Sequence, residues 1–259
     1  MPIDLKPVQP RDAIAALVAR GHELYPSFAW QEVYAELHGR MFTVAKSAGF
    51  DILEEIYNAL LEALEEGQTY QDFAQTLTPL LQAKGWWGRG LAVNPQTGLP
   101  EMVQLGSPRR LELIFDVNMR VSYATGNWTS FERNKPSRPF LRYVAILDER
   151  TRPEHAARNN LCLPVDHPYW DTWAPPCGWH CRCHLQSLSQ RDVDRMRDQL
   201  KFEPPALDLR PWENPASGEV RWIDAGIDPG WDHNPGKSGW QALEQRLAGK
   251  PDPLGIRSP

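Results

Sequence analysis

No apolar run in this 259-residue chain approaches the roughly 20 residues a membrane helix needs, so no membrane span and no membrane partner are expected. The start, "MPIDLKPVQPRDAIAALVARG", has no basic stretch followed by an apolar core, so no secretory leader is expected. Cysteine is scarce. Four in a chain of this length do not make a disulfide scaffold, and the default setting is a reducing cytosol. Neither sign of charge dominates: 28 Lys+Arg against 33 Asp+Glu gives a net −5, which argues against a whole-surface nucleic-acid binder. A glycine-rich phosphate loop is missing, because "GWWGRG" puts tryptophan where backbone must approach phosphate. There is no H-E-x-x-H metalloprotease pattern and no internal repeat.

What the chain does have is 11 Trp and 24 Pro. Proline at that level predicts long ordered loops and extended arms. Tryptophan at that level predicts either a tryptophan-filled core or large contact surfaces. The first 85 or so residues read as helices with short links, hence antiparallel neighbours. In "FAWQEVYAELHGRMFTVAKSA" the apolar residues Trp30, Val33, Tyr34, Leu37, Met41, Val44, Ala45 and Ala48 make a helical stripe. "FDILEEIYNALLEALEEGQ" starts on an Asp51/Glu54 capping-box-like pair and stops at Gly67; Thr69 caps the next helix, "YQDFAQTLTPLLQAKG". A Gly- and Pro-dense loop or flap follows. "RRLELIFDVNMRVSYATGNWTSF" fits both periods, but a strand of over twenty residues would be rare and Ser107-Pro108 is a good N-cap and first-turn pair, so helix is expected. "PFLRYVAILDERT" reads as a strand, "TRPEHAARNN" as a short helix with a Thr151/Glu154 capping box, "HCRCHLQSLS" as a short strand, and "SQRDVDRMRDQLK" as an exposed helix. Beyond residue 202 there is little periodicity. "RWIDAGIDPGWDHNPG" looks like an ordered arm lying on something, and the terminal "PDPLGIRSP" like a loose end.

The chemistry concentrates in "APPCGWHCRCHL", residues 174–185, which holds three of the four cysteines and two of the seven histidines. Zinc takes Cys and His ligands. In an extended segment Cys181 and Cys183 share a face with Cα atoms roughly 6.6 Å apart, at a rise of about 3.3 Å per residue. Cys177 sits in the turn "PPCGW", and His155 lies one short helix upstream. His180 and His184 have the opposite parity and are poor co-ligands. C-x3-C-x-C is not a finger spacing. Three other readings stay open beside metal: a disulfide, which needs an oxidising setting; small cysteines packing a tryptophan-lined turn; and a cysteine nucleophile with His155 or His167 as base. The zinc-deaminase pattern is not met, because Glu154-His155 is not H-x-E and the Pro-Cys pair is followed by a three-residue gap. Arg109, Arg110, Arg133, Lys135, Arg138 and Arg142 form a loose basic set that could touch DNA phosphates, a solvated face being the favoured reading.

The ordered set "SPRRLELIFDVNMRVSYATGNW", "RPFLRYVAILDERTRPEHAA", "LPVDHPYWDTWAPPCGWHCRC" and "DPGWDHNPG", with "GWWGR" and the stretch around "FAWQEVYAELHGRMFTVAKSAGFDIL", resembles the phage Mu F-like minor head protein family, also called the phage head-morphogenesis family. The resemblance covers residues from about 20 to about 235. It implies a minor structural protein of a tailed-phage or prophage head, made in the host cytoplasm and placed in the virion head. Its implied work is head morphogenesis and DNA packaging or delivery. Its implied partners are the portal protein, other capsid or scaffold proteins, and packaged DNA. It also implies that Asp148, Arg150, Thr151, His155, Cys181, Arg182 and Cys183 form one site. More distant relatives often carry Cys at the position of His155, an exchange of one zinc ligand type for another. Cys177 departs from the "PPNGW" of close relatives, so its place as a ligand is optional. Arg150 and Arg182 are expected to bond Asp148 or loop carbonyls.

The expected fold class is α+β: a helical N-terminal region (1–88), a linker or flap (89–107), a mixed α+β head-morphogenesis domain with a Cys/His-pinned loop (108–200), and an extended Pro/Trp-rich C-terminal arm (201–259). The expected function is non-enzymatic, with zinc as the cofactor to test for and His155, Cys181, Cys183 and Cys177 as its candidate ligands. The alternatives are a metal- or thiol-dependent hydrolase or effector delivered with the virion, and a DNA-binding internal head protein.

Overall fold

The computed structural model describes residues 9–47, 49–95 and 97–248. The C-terminal "PDPLGIRSP", the first eight residues and Ala48 lie outside the described residues. Helix α1 (Arg11–Gly21) buries Ala13, Ala16, Leu17 and Ala19 on one side. Helix α2 (Phe50–Glu66) buries Ile52, Leu53, Ile56, Leu60, Ala63 and Leu64 at helical spacing and ends on Gly67 at φ +68°, the left-handed stop. It starts from Gly49 without a side-chain cap, so the Asp51/Glu54 pair does not cap it. Helix α3 (Tyr70–Ala83) does carry its capping box: the Thr69 amide donates to Asp72 Oδ2 at 3.0 Å, and the Asp72 amide to Thr69 Oγ1 at 3.3 Å.

The stripe from residue 28 onward is not an α-helix. It breaks into 3-10 turns at Trp30–Glu32 and Ala35–Gly39, then runs extended with parallel bridges from Phe42 to Leu24 and from Ala45 to Ser27. Local polar groups outcompete the helix here. The Glu32 carboxylate accepts from the amides of Phe28 and Ala29, the Ser27 and Thr43 hydroxyls pair at 2.7 Å, and Ala35 sits at φ +49°. The apolar residues are buried all the same, Val33, Ala35 and Phe42 almost completely.

The expected flap is a β-hairpin, β1 (Arg89–Val93) against β2 (Pro100–Gln104). Helix α4 (Pro108–Asn134) settles the ambiguous period as helical. Ser107 Oγ accepts from the Arg110 amide and Pro108 opens the first turn. Its 27 residues span about 40 Å at 1.5 Å each. Strand β3 (Phe140–Val144), helix α5 (Pro153–Ala157), strand β4 (Cys162–Pro164), strand β5 (His184–Leu188) and helix α6 (Gln190–Met196) follow. The three strands make an antiparallel sheet in the order β4-β3-β5, with Arg142 opposite Cys162 and Val144 opposite His184. On the mostly exposed α6, Val193 is buried.

The C-terminal region is more regular than its composition suggests. Strands β6 (Leu209–Glu213) and β7 (Val220–Asp224) form a hairpin, and helix α7 (Pro235–Ala248) packs against α4. The face of α7 that meets α4 is made of small residues. A Cβ on Gly239 would stand 2.2 Å from Thr125 Oγ1, so only glycine allows this approach. The arm lies on its own chain: Trp212 of β6 stacks on Tyr34 at 5.2 Å and on Trp30 at 6.2 Å, and the Tyr34 hydroxyl donates to Asp232. Two large apolar cores result, beside a small cluster of Cys162, Leu188, Val193 and Leu200 under α6. One gathers α1, α2, α3 and the β1-β2 hairpin around Leu111 of α4. The other gathers β3, the Trp170–Cys177 loop and the C-terminal region around Val121, Trp128 and Phe131 of the same helix. Helix α4 is the spine both cores share, which makes the fold α+β throughout.

Candidate functional site

The second core's edge carries the cysteines. Cys181 and Cys183 lie in an extended stretch just ahead of β5, where alternation puts both sulfurs on one side and Arg182 on the other. Helix α5 presents His155 to them. Its Nδ1 stands 3.7 Å from Cys181 Sγ and 3.6 Å from Cys183 Sγ. The imidazole is buried, with 3 % of its surface exposed, and packs edge-on against Trp173. The Cys181 thiol donates to Cys183. That bond, followed by burial, holds Cys181 up at about 12, while the same bond draws Cys183 down to about 6. The three donors all lie within 4.8 Å of one another, and among the described residues they are the group of His, Cys, Asp and Glu that could hold a metal ion.

Cys177 does not join them. It is fully buried in the second core, and burial, then the neighbouring Cys181 and Cys183, push its thiol well above the usual range. Cys162 lies on β4, buried and raised to about 11 by burial. All four cysteines are free thiols. His180, at φ +59°, and His184 turn outward, as their parity predicts. His167 caps the turn at Pro168–Asp171, with its Nδ1 accepting the Tyr169 amide. That leaves it a structural partner within its own loop.

Asp148 organises the loop outside this trio. Arg182 grips its carboxylate with two bonds of 2.7 and 2.6 Å, and the Arg150 amide and Thr151 hydroxyl donate to Oδ1. The Arg182 guanidinium holds the Asp148 carboxyl far below the usual carboxylate range. Arg150 itself reaches Asp148 at 3.8 Å and is mostly exposed. The expected Thr151/Glu154 capping box is absent, because helix α5 starts after Arg152 with Pro153 at its first position and Thr151 is spent on Asp148.

Several supports had no signal in local spacing. The Gly226 carbonyl accepts from His155 Nε2 at 2.8 Å and from Arg152 at 3.0 Å. Gly226 sits at φ +95°, and a Cβ there would meet Glu154 Cβ at 2.5 Å. Arg152 also forks onto Asp228, whose Oδ2 accepts the Trp179 amide at 2.8 Å. Arg158 and Asp224 form a buried ion pair at 2.8 Å, with Trp173 Nε1 and the Asp208 amide completing the carboxylate. Gly226 and Asp228 thus tie the far C-terminal region to helix α5 and its N-cap Arg152, 71 and 76 residues away, and Asp228 ties it to Trp179 of the cysteine loop, 49 residues away. The glycine and proline density marked an ordered turn there, but nothing in the sequence named its partners.

The basic set disperses. Arg110 bonds the carbonyls of Ala45, Gln104 and Leu105; Arg133 pairs with Asp12, Lys135 with Asp166, Arg138 with Asp192 and Ser187, and Arg142 with Asn160. Five of its six members are therefore engaged within the chain.

The family described as Phage Mu protein F like protein matches residues 54–186, a span that includes α4, strands β3 and β4, the start of β5, His155 and both converging cysteines. The chain belongs to the Mu F-like family. It is 35 % identical over 254 residues to capsid assembly protein F of Escherichia phage Mu, covering 92 % of this chain and 57 % of that protein. It is 36 % identical over 164 residues to the Mu-like prophage FluMu F protein of Haemophilus influenzae, covering 63 % of this chain and 38 % of that protein. The chain thus spans from 38 % to 57 % of the length of these Mu F-like relatives. No solved structure matches it.

Proposed function

We propose that this Mu F-like chain is a minor protein of a phage or prophage head, acting in head morphogenesis and joining the head through the portal. The observation that carries the reading is the 35 % identity to a capsid assembly protein along 92 % of the chain. No described helix is long and apolar enough to cross a membrane. The contact surface we assign is the outer face of the β6-β7 hairpin. Leu209, Val220 and Trp222 stand there side by side, with Trp222 64 % exposed, while Trp212 and Ile223 face inward. A tryptophan beside two aliphatic residues on one sheet face is the composition of an interface anchor. DNA packaging or delivery would follow from position beside the portal rather than from a basic surface of this chain.

The test is to produce heads in the host with this gene intact, deleted, or carrying Trp222→Ser. The reading predicts that deletion lowers the yield of normal, DNA-filled heads, and that Trp222→Ser does the same while the purified variant melts like the parent. Heads of normal yield and filling without the gene would refute it.

A further inference from the structure

His155, Cys181 and Cys183 are spaced for a metal ion. A tetrahedral Zn(II) with bonds of about 2.3 Å to sulfur and about 2.0–2.1 Å to nitrogen sets neighbouring N and S ligands about 3.6 Å apart. The observed separations are 3.6 and 3.7 Å. Both sulfurs face the one in-plane lone pair of Nδ1 at nearly the same distance.

The tautomer is also set for coordination. The Gly226 carbonyl can only accept, so His155 Nε2, 2.8 Å away, carries the proton and Nδ1 is left with its lone pair facing the sulfurs. A metal-ligating histidine ordinarily gives its other N–H to a carbonyl or carboxylate in this way. The carbonyl is fixed in turn by Arg152 and by the left-handed backbone of Gly226.

Among the described residues no fourth His, Cys, Asp or Glu donor joins the group. The three ligands line a cavity of about 720 Å³, together with Arg120, Arg150, Arg152 and Arg182 and two carboxylates, Glu112 and Asp116. Structural zinc sites close with four protein ligands; sites with three keep a position for water or another small donor. The two thiolates favour zinc over hard cations such as magnesium or calcium.

We infer that His155, Cys181 and Cys183 bind one Zn(II), and that its fourth position opens on the arginine-lined cavity and exchanges small anionic donors. This is an open centre rather than a closed clamp. The inference does not rest on the head-assembly reading, and either can fail alone.

The experiment uses the full chain, purified under reducing conditions with zinc supplied, then stripped and titrated with Co(II). One zinc per chain is expected. So are a thiolate-to-cobalt charge-transfer band in the near ultraviolet and visible bands of tetrahedral intensity. Cys183→Ser should weaken cobalt binding by more than the roughly 10- to 100-fold that an outer-shell change costs. Cys177→Ser should leave it unchanged, and circular dichroism checks the fold of each variant. If Cys183→Ser does not fold, the charge-transfer intensity of the parent chain still counts its thiolates, two being expected. Azide should shift the visible bands. A folded parent chain that takes up neither zinc nor cobalt overturns the site, as does a Cys177→Ser loss equal to that of Cys183→Ser. Bands that azide leaves untouched overturn the open position.

Discussion

At the scale of single residues, the most consequential side chains are charged or titratable groups sealed inside the fold. The Arg158–Asp224 pair has 4 % and 5 % of its side-chain surfaces exposed, and every oxygen of Asp224 has a donor. Removing one partner leaves the other charge buried and unpaired. Asp224→Ala should therefore cost about 3–5 kcal/mol, read by urea unfolding. His233 is buried, and desolvation lowers it to about 4, against the raising effect of Glu36 and Asp232 and the lowering effect of Arg221. An unfolded histidine titrates near 6.5. Above that pH neither state binds the proton. As pH falls below it, the unfolded chain gains a proton the folded chain refuses, so stability drops by about 1.4 kcal/mol per pH unit down to pH about 4. His233→Gln should flatten that part of the pH–stability curve. The cysteine loop was legible at this scale because alternation and residue type alone put Cys181 and Cys183 on one face. Its supports were not, because Gly226, Asp224 and Asp228 reach the loop only through tertiary folding.

At the scale of elements, helices with a full 3.6-residue stripe and a real cap were readable: α2 by its leucines, α3 by Thr69, α4 by Ser107-Pro108. Ser107→Ala should destabilise the chain by about 1 kcal/mol in thermal or urea melts, since it frees the Arg110 amide. The segment after residue 28 misled because 3-10 turns followed by an extended run can bury the same apolar residues that a helix would. Helix α7 was hidden for the opposite reason. Its buried face is Gly236, Gly239 and Ala242, too small to register as a hydrophobic stripe. Close packing replaces bulk there. Gly239→Ala should push α7 off α4 and cost about 1–3 kcal/mol, while Glu244→Ala on the exposed side should leave the melting temperature unchanged.

At the scale of the whole molecule, α4 joins two cores and the C-terminal region folds back over the N-terminal turns, so the cysteine loop is held by segments from across the chain. This spares the loop from depending on its own short strands. It also leaves one face of the β6-β7 hairpin turned outward with Trp222 exposed, the surface assigned to the head. The most direct test of the head-assembly account is quantitative mass spectrometry of gradient-purified phage heads produced with the intact gene. The account predicts this chain in the heads at a small fraction of the major shell subunit, co-purifying with the portal when shells are broken. Its absence from purified heads, with the protein soluble at the top of the gradient, would contradict the account.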